Sequence, residues 1–197
     1  MLQKVGNNVG LETEYKFLVS KEKFERIMDR IRMKYPELEI KERLQINYYY
    51  DTDDHYLLDR HTTLRARQIG DDIRLEMKEA VISSKDYSEA VETSRKLERL
   101  TGDITLEKGK FAWIPFSLQG SLVTRRYSIR PSDSLSIDFD INYYLGKCDY
   151  EIEMEFTEKA QKATSILVEK LGLMKYKNTI GGKARRFFMW KSEIFKD

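Results

Sequence analysis

The sequence predicts an α+β fold in which an eight-stranded antiparallel β-barrel forms a tunnel, with a charged interior and helices packed outside. Three observations support this prediction: about eight β-prone segments occur mostly as hairpins, helical patterns lie near the start, middle and end, and charged residues recur at alternate positions. Successive side chains of a strand point to opposite faces, so this alternation gives a strand one charged face. Closing eight strands into a barrel removes exposed sheet edges.

In the first half of the chain, the residue pattern predicts five strands and one helix. Ser20 is a good N-cap, apolar residues follow it at helical spacing, and Pro36 ends the pattern, so a helix is expected between them. Gly70-Asp71-Asp72 is typical of a hairpin turn between two β-prone runs. The predicted strands cover residues 11–19, 40–50, 63–69, 73–81 and 87–92.

In the second half, three further strands are predicted between two helical stretches. Residues 94–119 show an irregular helical pattern whose apolar side chains would pack on the outside of a sheet. Pro131-Ser132-Asp133 marks a hairpin turn. A last helix begins at Thr157 and runs to Leu171, where Gly172 stops it, and a basic, aromatic tail follows. The strands cover residues 121–130, 135–144 and 147–156.

The composition predicts one globular domain over residues 1–197, located in the cytoplasm. Hydrophobic residues make up 41% of the chain, which is typical of a protein with a packed core. The 35 Lys and Arg nearly balance the 33 Asp and Glu, and the net charge of +2 argues against a dedicated nucleic-acid binder. Cys148 is the single cysteine, so neither an internal disulfide nor a thiolate zinc site is expected. No apolar stretch has the length of a membrane span or the pattern of a secretion signal.

Charged residues occupy one face of nearly every predicted strand, and the opposite face is apolar in several of them. If helices cover the apolar outside of the barrel, the charged faces point inward and line the tunnel. Arg126 follows Arg125 directly, so the two point to opposite faces, and Arg125 is predicted to face inward. The predicted lining is Glu12, Glu14, Lys16, Arg65, Arg67, Arg74, Glu76, Lys78, Glu89 or Glu92, Arg125, Asp138, Asp140, Glu151, Glu153 and Glu155.

A lining of this kind indicates a ligand that carries both a metal and several negative charges. Clustered carboxylates repel one another unless a cation neutralises them, and clustered arginines and lysines favour a highly charged anion such as a polyphosphate. The alternative is an ordinary sheet whose charged face meets water. Short carboxylate side chains beside arginines on nearly every strand argue against that alternative, and favour a polyphosphate bound together with a divalent metal.

Several of these motifs, in this order, resemble the CYTH domain of the triphosphate tunnel metalloenzyme family. They are the Glu-x-Glu-x-Lys segment of residues 12–16, Leu64-Arg65-Ala66-Arg67, Lys78, Arg125 and Tyr150-Glu151-Ile152-Glu153. The resemblance extends from residue 11 to about residue 186, almost the whole chain. It is strongest to a bacterial branch of candidate triphosphatases.

The resemblance implies an eight-stranded tunnel that binds a triphosphate together with Mg²⁺ or Mn²⁺. The implied metal ligands are Glu12, Glu14, Asp138, Glu151, Glu153 and an acid of the fifth strand, for which Glu89 is preferred over Glu92. The candidate phosphate-binding residues are Lys16, Arg65, Arg67, Arg74, Lys78, Arg125, Lys183 and Arg186. Glu14, Lys78 and Glu153 are the candidate catalytic residues.

Three functions agree with such a tunnel. The first is a metal-dependent hydrolase that removes the terminal phosphate of inorganic, thiamine or nucleoside triphosphate. The second is an adenylate cyclase, which would use the same charges. The third is a polyphosphate- or nucleotide-binding module without turnover. The expected partner is a small-molecule triphosphate, without membrane or nucleic acid, and the protein would be a monomer or homodimer. The choice among triphosphates stays open, because all of them share the part that these charges bind.

Overall fold

The computed structural model of the protein describes residues 2–3, 8–81 and 86–196. Eight strands form a closed ring in the order β8-β3-β4-β5-β6-β2-β10-β9, and pairing between β9 and β8 completes it. All neighbours in the ring are antiparallel, which confirms the predicted barrel. The strands are β1 (Leu2–Gln3), β2 (Asn8–Val19), β3 (Lys41–Asp51), β4 (Thr62–Ile69), β5 (Asp72–Val81), β6 (Ser88–Leu97), β7 (Asp103–Leu106), β8 (Pro115–Ser132), β9 (Leu135–Tyr144) and β10 (Lys147–Phe156).

Within the described residues, three α-helices accompany the barrel: α1 (Lys21–Lys34), α2 (Gln161–Leu171) and α3 (Lys183–Ile194). The predicted cap of α1 is present, because the Ser20 side chain accepts a hydrogen bond from the Lys23 amide at 3.3 Å. Gly172 ends α2 in the left-handed conformation with a φ of 63°, as its position predicted. Among the described residues, none of the helices combines the length and apolar character needed to cross a membrane.

The largest hydrophobic core lies outside the barrel wall. The outward side chains Phe17, Phe139 and Ile152 are fully buried there, where Phe24 and Ile27 of α1 pack in the same cluster. Burial of each such side chain stabilises the fold by about 1.5–3 kcal/mol. Because the apolar faces of β2, β9 and β10 pack under the helices, their charged faces point into the barrel.

Residues 94–119 differ from the prediction, since no helix forms there. β6 continues to Leu97, and Ile104 of β7 pairs with Phe116 of β8. Leu97, Ile104 and Leu106 are buried in a second cluster outside the barrel, together with Phe111 and Phe116. The apolar spacing of this stretch is compatible with both a helix and a strand, and pairing with β8 decides between them.

Helix α3 forms from the basic, aromatic tail and lies across one end of the barrel. Its apolar side chains pack on inward-facing residues of β3, β8 and β9 in a third cluster of Tyr49, Leu122, Tyr144, Ala184, Phe187 and Phe188. Gly120 makes this close approach possible, because a Cβ at that position would lie 2.6 Å from the Phe187 ring. Its φ of 140° also disfavours any other residue. The first turn of α3 therefore reaches the barrel interior.

Candidate functional site

The barrel encloses a cavity of about 650 Å³ that is lined mainly by charged side chains. Inward faces of all eight ring strands contribute to it, and the start of α3 forms one end. The acids at the cavity include Glu12, Glu14, Glu92, Asp138, Glu153 and Glu155. The bases include Lys16, Arg43, Arg65, Arg67, Lys78, Arg126 and Lys183.

The three charged residues of β2 point into this cavity, as the sequence predicted. Glu14 is only 3% exposed, and its Oε1 lies 2.7 Å from the amines of both Lys16 and Lys78. Lys78 also contacts Glu12, and the Lys16 amine lies 3.4 Å from Glu153. Burial alone would lower the pKa of Lys16, but the carboxylates of Glu14 and Glu153 raise it well above the usual value. Lys16 is therefore held in its cationic form.

A second group of charges joins β8, β9 and β10 around Arg126. Its guanidinium lies 2.6 Å from Asp138 and 2.5 Å from both Asp140 and Glu153. Arg126 is buried, and this burial opposes the charged form, yet the three carboxylates raise its pKa well above the usual value. Sequence reasoning missed this arginine because it assigned the inward position to the preceding residue.

The prediction for Arg125 is wrong, because this side chain points away from the tunnel. It is 48% exposed and pairs with Glu42 at 2.7 Å on the outside of the barrel. The physical reason is strand register: Arg126 lies opposite Asp140, whose side chain faces inward, so the residue before it faces outward.

Two further predicted positions are corrected: Glu89 by the register of β6, and Arg74 by its place near the start of β5. Glu92 lies opposite Lys78, and its carboxylate is 3.7 Å from the Lys78 amine and 3.5 Å from Arg65. Glu89, preferred from the sequence, belongs to the alternate face of β6 at the cavity edge, opposite Thr13. Arg74 is near the start of β5, where it is 45% exposed and pairs with Asp72 at 2.8 Å, outside the cavity lining.

Arg65 and Arg67 face inward from β4, as predicted, and Glu76 holds them in place. The Glu76 carboxylate lies 2.9 Å from Arg65 and 3.4 Å from Arg67. Burial opposes the charge of Arg65, but Glu76 and Glu92 raise its pKa above the usual value. The two guanidinium groups are therefore fixed side by side, as an arrangement for binding adjacent phosphates requires.

The start of α3 adds two cations at one end of the cavity. The Lys183 amine lies 2.8 Å from Asp140 and 2.7 Å from both Glu151 and Glu153. Arg186, one turn later, lies 3.0 Å from Glu151. Burial would raise the pKa of Glu151, but Lys183 and Arg186 lower it to about 2. These two candidate phosphate-binding residues therefore lie at the charged interior of the barrel.

The carboxylates form two sets that have the oxygen donors a hard divalent cation prefers. Oxygens of Asp140, Glu151 and Glu153 lie within 4.8 Å of one another, but Lys183 and Arg126 already contact members of this set. The second set is Glu12, Glu14, Asp138, Glu153 and Glu155, in which Glu155 pairs with Glu14 across the strands.

Glu155 distinguishes the second set from the first, because it adds a carboxylate that no base of the described residues pairs with. It lies four residues along β10 from Glu151, toward the end of the barrel away from α3, and is exposed at the rim. Partial enclosure by protein, followed by the charges of Glu12, Glu14 and Asp138, raises its pKa to about 7. Among the ion pairs of residues 8–81 and 86–196, none involves Glu155. A divalent cation fits this set by both donor chemistry and charge.

Replacing Glu155 with glutamine is expected to stabilise the metal-free protein at pH 8 but not at pH 4. The folded-state pKa of about 7 lies above the reference value of 4.5, so the stability linked to protonation is present below pH 4.5 and lost as the pH rises through 7. Glutamine does not ionise, so the variant keeps this stability at pH 8. Solvent screening at the rim limits the increase in the free energy of unfolding to about 1 kcal/mol.

Thermal unfolding of both proteins in a chelator, between pH 4 and pH 8, measures this difference. A stability change that is the same at all pH values would contradict the assignment. Glu39→Gln, at an exposed position outside the barrel, is the matched control.

Comparison with known proteins gives a family and a set of similar folds. The sequence pattern of the CYTH domain matches residues 10–182. No characterised protein sequence gives a significant match to the chain.

Similar solved structures cover nearly the whole barrel. A candidate adenylate cyclase of Bacillus halodurans is 24% identical, with 91% of this chain and 98% of that chain covered and a TM-score of 0.69. A candidate adenylyl cyclase of Hippeastrum with a dominant triphosphatase activity is 19% identical, with coverage of 91% and 96% and a TM-score of 0.68. The Mimivirus capping enzyme triphosphatase is 16% identical, with coverage of 86% and 90% and a TM-score of 0.53.

Proposed function

Because this chain belongs to the CYTH domain family, we propose that it is a metal-dependent triphosphatase, which hydrolyses the terminal phosphate of inorganic triphosphate or an organic triphosphate. One observation carries the proposal. A single cavity combines a carboxylate set, which includes Glu155 outside the ion pairs of the described residues, with arginines and lysines directed at the same space. The first group suits a divalent cation, and the second suits the oxygens of a phosphate chain.

The basic residues are arranged to stabilise charge that develops on phosphate oxygens. Phosphoryl transfer places charge on the transferred and leaving oxygens, and fixed cations stabilise it with little reorganisation. Arg65 and Arg67 are fixed by Glu76, and Lys16 and Lys78 are fixed by Glu14. Lys183 extends the row at the end covered by α3. We assign these five residues to phosphate binding, with Lys78 nearest to the proposed metal ligands.

Glu12, Glu14, Asp138, Glu153 and Glu155 would hold the metal, which is Mg²⁺ or Mn²⁺. When bound, this ion neutralises phosphate charge and activates water for attack. Glu14 and Glu153 both lie beside Lys16, so the proposed ligands adjoin the proposed phosphate site. A glutamate of this set would accept the proton of the attacking water.

The names of the similar structures favour hydrolysis of a triphosphate and also support a second candidate reaction. The Hippeastrum protein has a dominant triphosphatase activity, and the Mimivirus protein is a triphosphatase. The Bacillus halodurans protein is a candidate adenylate cyclase, so cyclisation of ATP is the alternative for this chain. Both reactions would use the same charged tunnel, and the products distinguish them.

The purified protein is expected to release phosphate from a triphosphate only when Mg²⁺ or Mn²⁺ is present. Inorganic triphosphate, thiamine triphosphate and ATP are the substrates, each assayed with either metal and with a chelator. Because the metal neutralises the phosphates, the chelator should reduce the rate by roughly 100-fold or more.

The products from ATP decide between the two candidates. ADP and phosphate support the proposal, and cyclic AMP with pyrophosphate supports the cyclase instead. Phosphate release at the same rate in the chelator would contradict metal dependence.

A further inference from the structure

Strand β3 carries a row of neutral polar side chains on its inward face: Gln45, Asn47 and Tyr49, here called the β3 polar row. They are 1%, 0% and 0% exposed, respectively. Each has a buried polar atom without a hydrogen-bond partner, namely Gln45 Oε1, Asn47 Nδ2 and the Tyr49 hydroxyl. Native proteins leave few buried polar atoms unpaired. Three at successive inward positions of one strand indicate that something in the tunnel supplies their partners.

The β3 polar row lies across the tunnel from the charged face of β2. In the ring, β4, β5 and β6 separate β3 from β2 on one side, and β8, β9 and β10 separate them on the other. β3 is therefore the strand opposite β2 in the ring. Arginines flank the row: Arg67 on β4 donates to Asn47 Oδ1 at 3.3 Å, and Arg126 extends from the other neighbouring strand, β8.

The unpaired groups have the chemistry of donors to phosphate oxygens. Asn47 Nδ2 is a donor, and a half-turn of the Gln45 amide exchanges its oxygen for its nitrogen. Burial raises the pKa of Tyr49 above its usual value, so its hydroxyl keeps its proton at neutral pH. Gln45 lines the cavity directly, and Asn47 and Tyr49 continue the row behind this lining toward α3, where Tyr49 packs against Phe187.

We propose that the β3 polar row donates hydrogen bonds to the phosphate oxygens that face away from the metal-binding carboxylates. This inference rests on the proposed function only in that a triphosphate occupies the cavity. The phosphate chain would then lie between two walls, with metal and lysines on the β2 side and neutral donors on the β3 side. The row positions the substrate without adding further positive charge.

Tyr49→Phe and Gln45→Met test the proposal, because each removes the polar group and keeps the size of the side chain. The probe is inorganic tripolyphosphate, and its dissociation constant is measured by calorimetry at 4 °C, with Mg²⁺ and in a parallel series with chelator. Each variant is expected to weaken binding about tenfold, the effect of losing a hydrogen bond to a charged group. Gln68→Met is the matched control, because Gln68 bonds Tyr48 and Gly70 on the outer side of β4.

Thermal unfolding of the ligand-free variants separates binding from a structural role. Removing an unpaired buried group should leave the melting temperature unchanged or raise it. A lowered melting temperature with unchanged tripolyphosphate affinity would overturn the proposal, since the row would then serve the fold alone. Gln45→Glu adds a test of donor against acceptor: it should weaken binding more than Gln45→Met, whereas stronger Mg²⁺-dependent binding would identify Gln45 as a metal ligand and overturn the donor role.

The outcomes also separate this proposal from the proposed function. Tight binding of tripolyphosphate that weakens in the variants supports the row even if no phosphate is released. If Tyr49→Phe and Gln45→Met hydrolyse the substrate and bind tripolyphosphate with wild-type affinity, the proposed role of the β3 polar row is wrong. The triphosphatase proposal would remain valid. Absence of tripolyphosphate binding to the wild-type protein in both series overturns both.

Discussion

Replacing Arg126 with methionine is expected to lower the free energy of unfolding by about 3 kcal/mol at pH 7. The side chain is buried and lies 2.5–2.6 Å from three carboxylates, so its removal leaves negative charges without their partner. Lys183 remains in contact with Asp140 and Glu153. The expected decrease in the free energy of unfolding is therefore near the smallest values that are typical of breaking a buried ion pair. Of its hydrogen-bond partners in the described part of the chain, Asp138 would retain the Ser128 hydroxyl at 2.6 Å.

Arg125→Met is the matched control for this experiment. The two arginines are adjacent, but Arg125 is half exposed and pairs with Glu42 in solvent, where ion pairs contribute little. Its replacement should change the free energy of unfolding by less than about 0.5 kcal/mol. Chemical denaturation of both variants measures the difference. Equal losses, or a larger loss for Arg125→Met, would contradict the observed register of β8.

The loss in Arg126→Met should shrink as the pH falls. Once protonated, the three carboxyl groups no longer need a cationic neighbour. Burial, partly offset by Arg126, already raises the pKa of Asp138 in the wild-type protein. Without Arg126 that pKa rises further, so the unpaired acid binds its proton at higher pH and the destabilisation declines below that point.

Glu14→Gln is expected to reduce metal-dependent phosphate release by roughly 100- to 1,000-fold, the loss typical of removing one group that acts on transition-state charge. Glutamine has nearly the same shape as glutamate but lacks the negative charge that strengthens binding of a divalent cation. Glu14 also fixes the amines of Lys16 and Lys78, each at 2.7 Å, so the phosphate-binding side of the site is affected as well.

The fold should survive this change. Lys78 keeps its contacts with Glu12 and Glu92, and Lys16 keeps Glu153 as a neighbour. Glu42→Gln, which alters a glutamate on the outer wall, is the matched control and should keep full activity. Initial rates of phosphate release over a range of Mg²⁺ concentrations measure the effect. Full activity in Glu14→Gln would defeat the proposed role of this carboxylate.

The two experiments address a common property of the tunnel, which is that its acids and bases neutralise one another before any ligand binds. Lys16, Arg65, Lys78 and Arg126 each contact at least one carboxylate. A phosphate chain and a divalent cation bring new partners of both signs, so bases can turn toward phosphate as acids turn toward the metal. Binding then exchanges ion pairs and leaves few buried charges unpaired.

Local patterns predicted most of the strands and the charged side of each. Period-two alternation in Glu12-Thr13-Glu14-Tyr15-Lys16 requires no knowledge of neighbouring strands. The cap at Ser20 and the stop at Gly172 were likewise predictable, because both depend on residues close in sequence. Residues 94–119 were not, since their pairing partner β8 decides between helix and strand.

The sequence by itself determined that this chain forms antiparallel strands with one charged and one apolar face, because the direction of successive side chains along a strand is a local property. Only the tertiary structure decided which of two candidate residues on a strand faces the tunnel. Arg126 faces it and Arg125 does not, and Glu92 faces it where Glu89 was preferred from the sequence. A slip of one residue between strands reverses every side chain, and hydrogen bonds to a distant strand set that register. The three-dimensional fold likewise brought Glu155 beside Glu14, and the neutral row of β3 opposite β2.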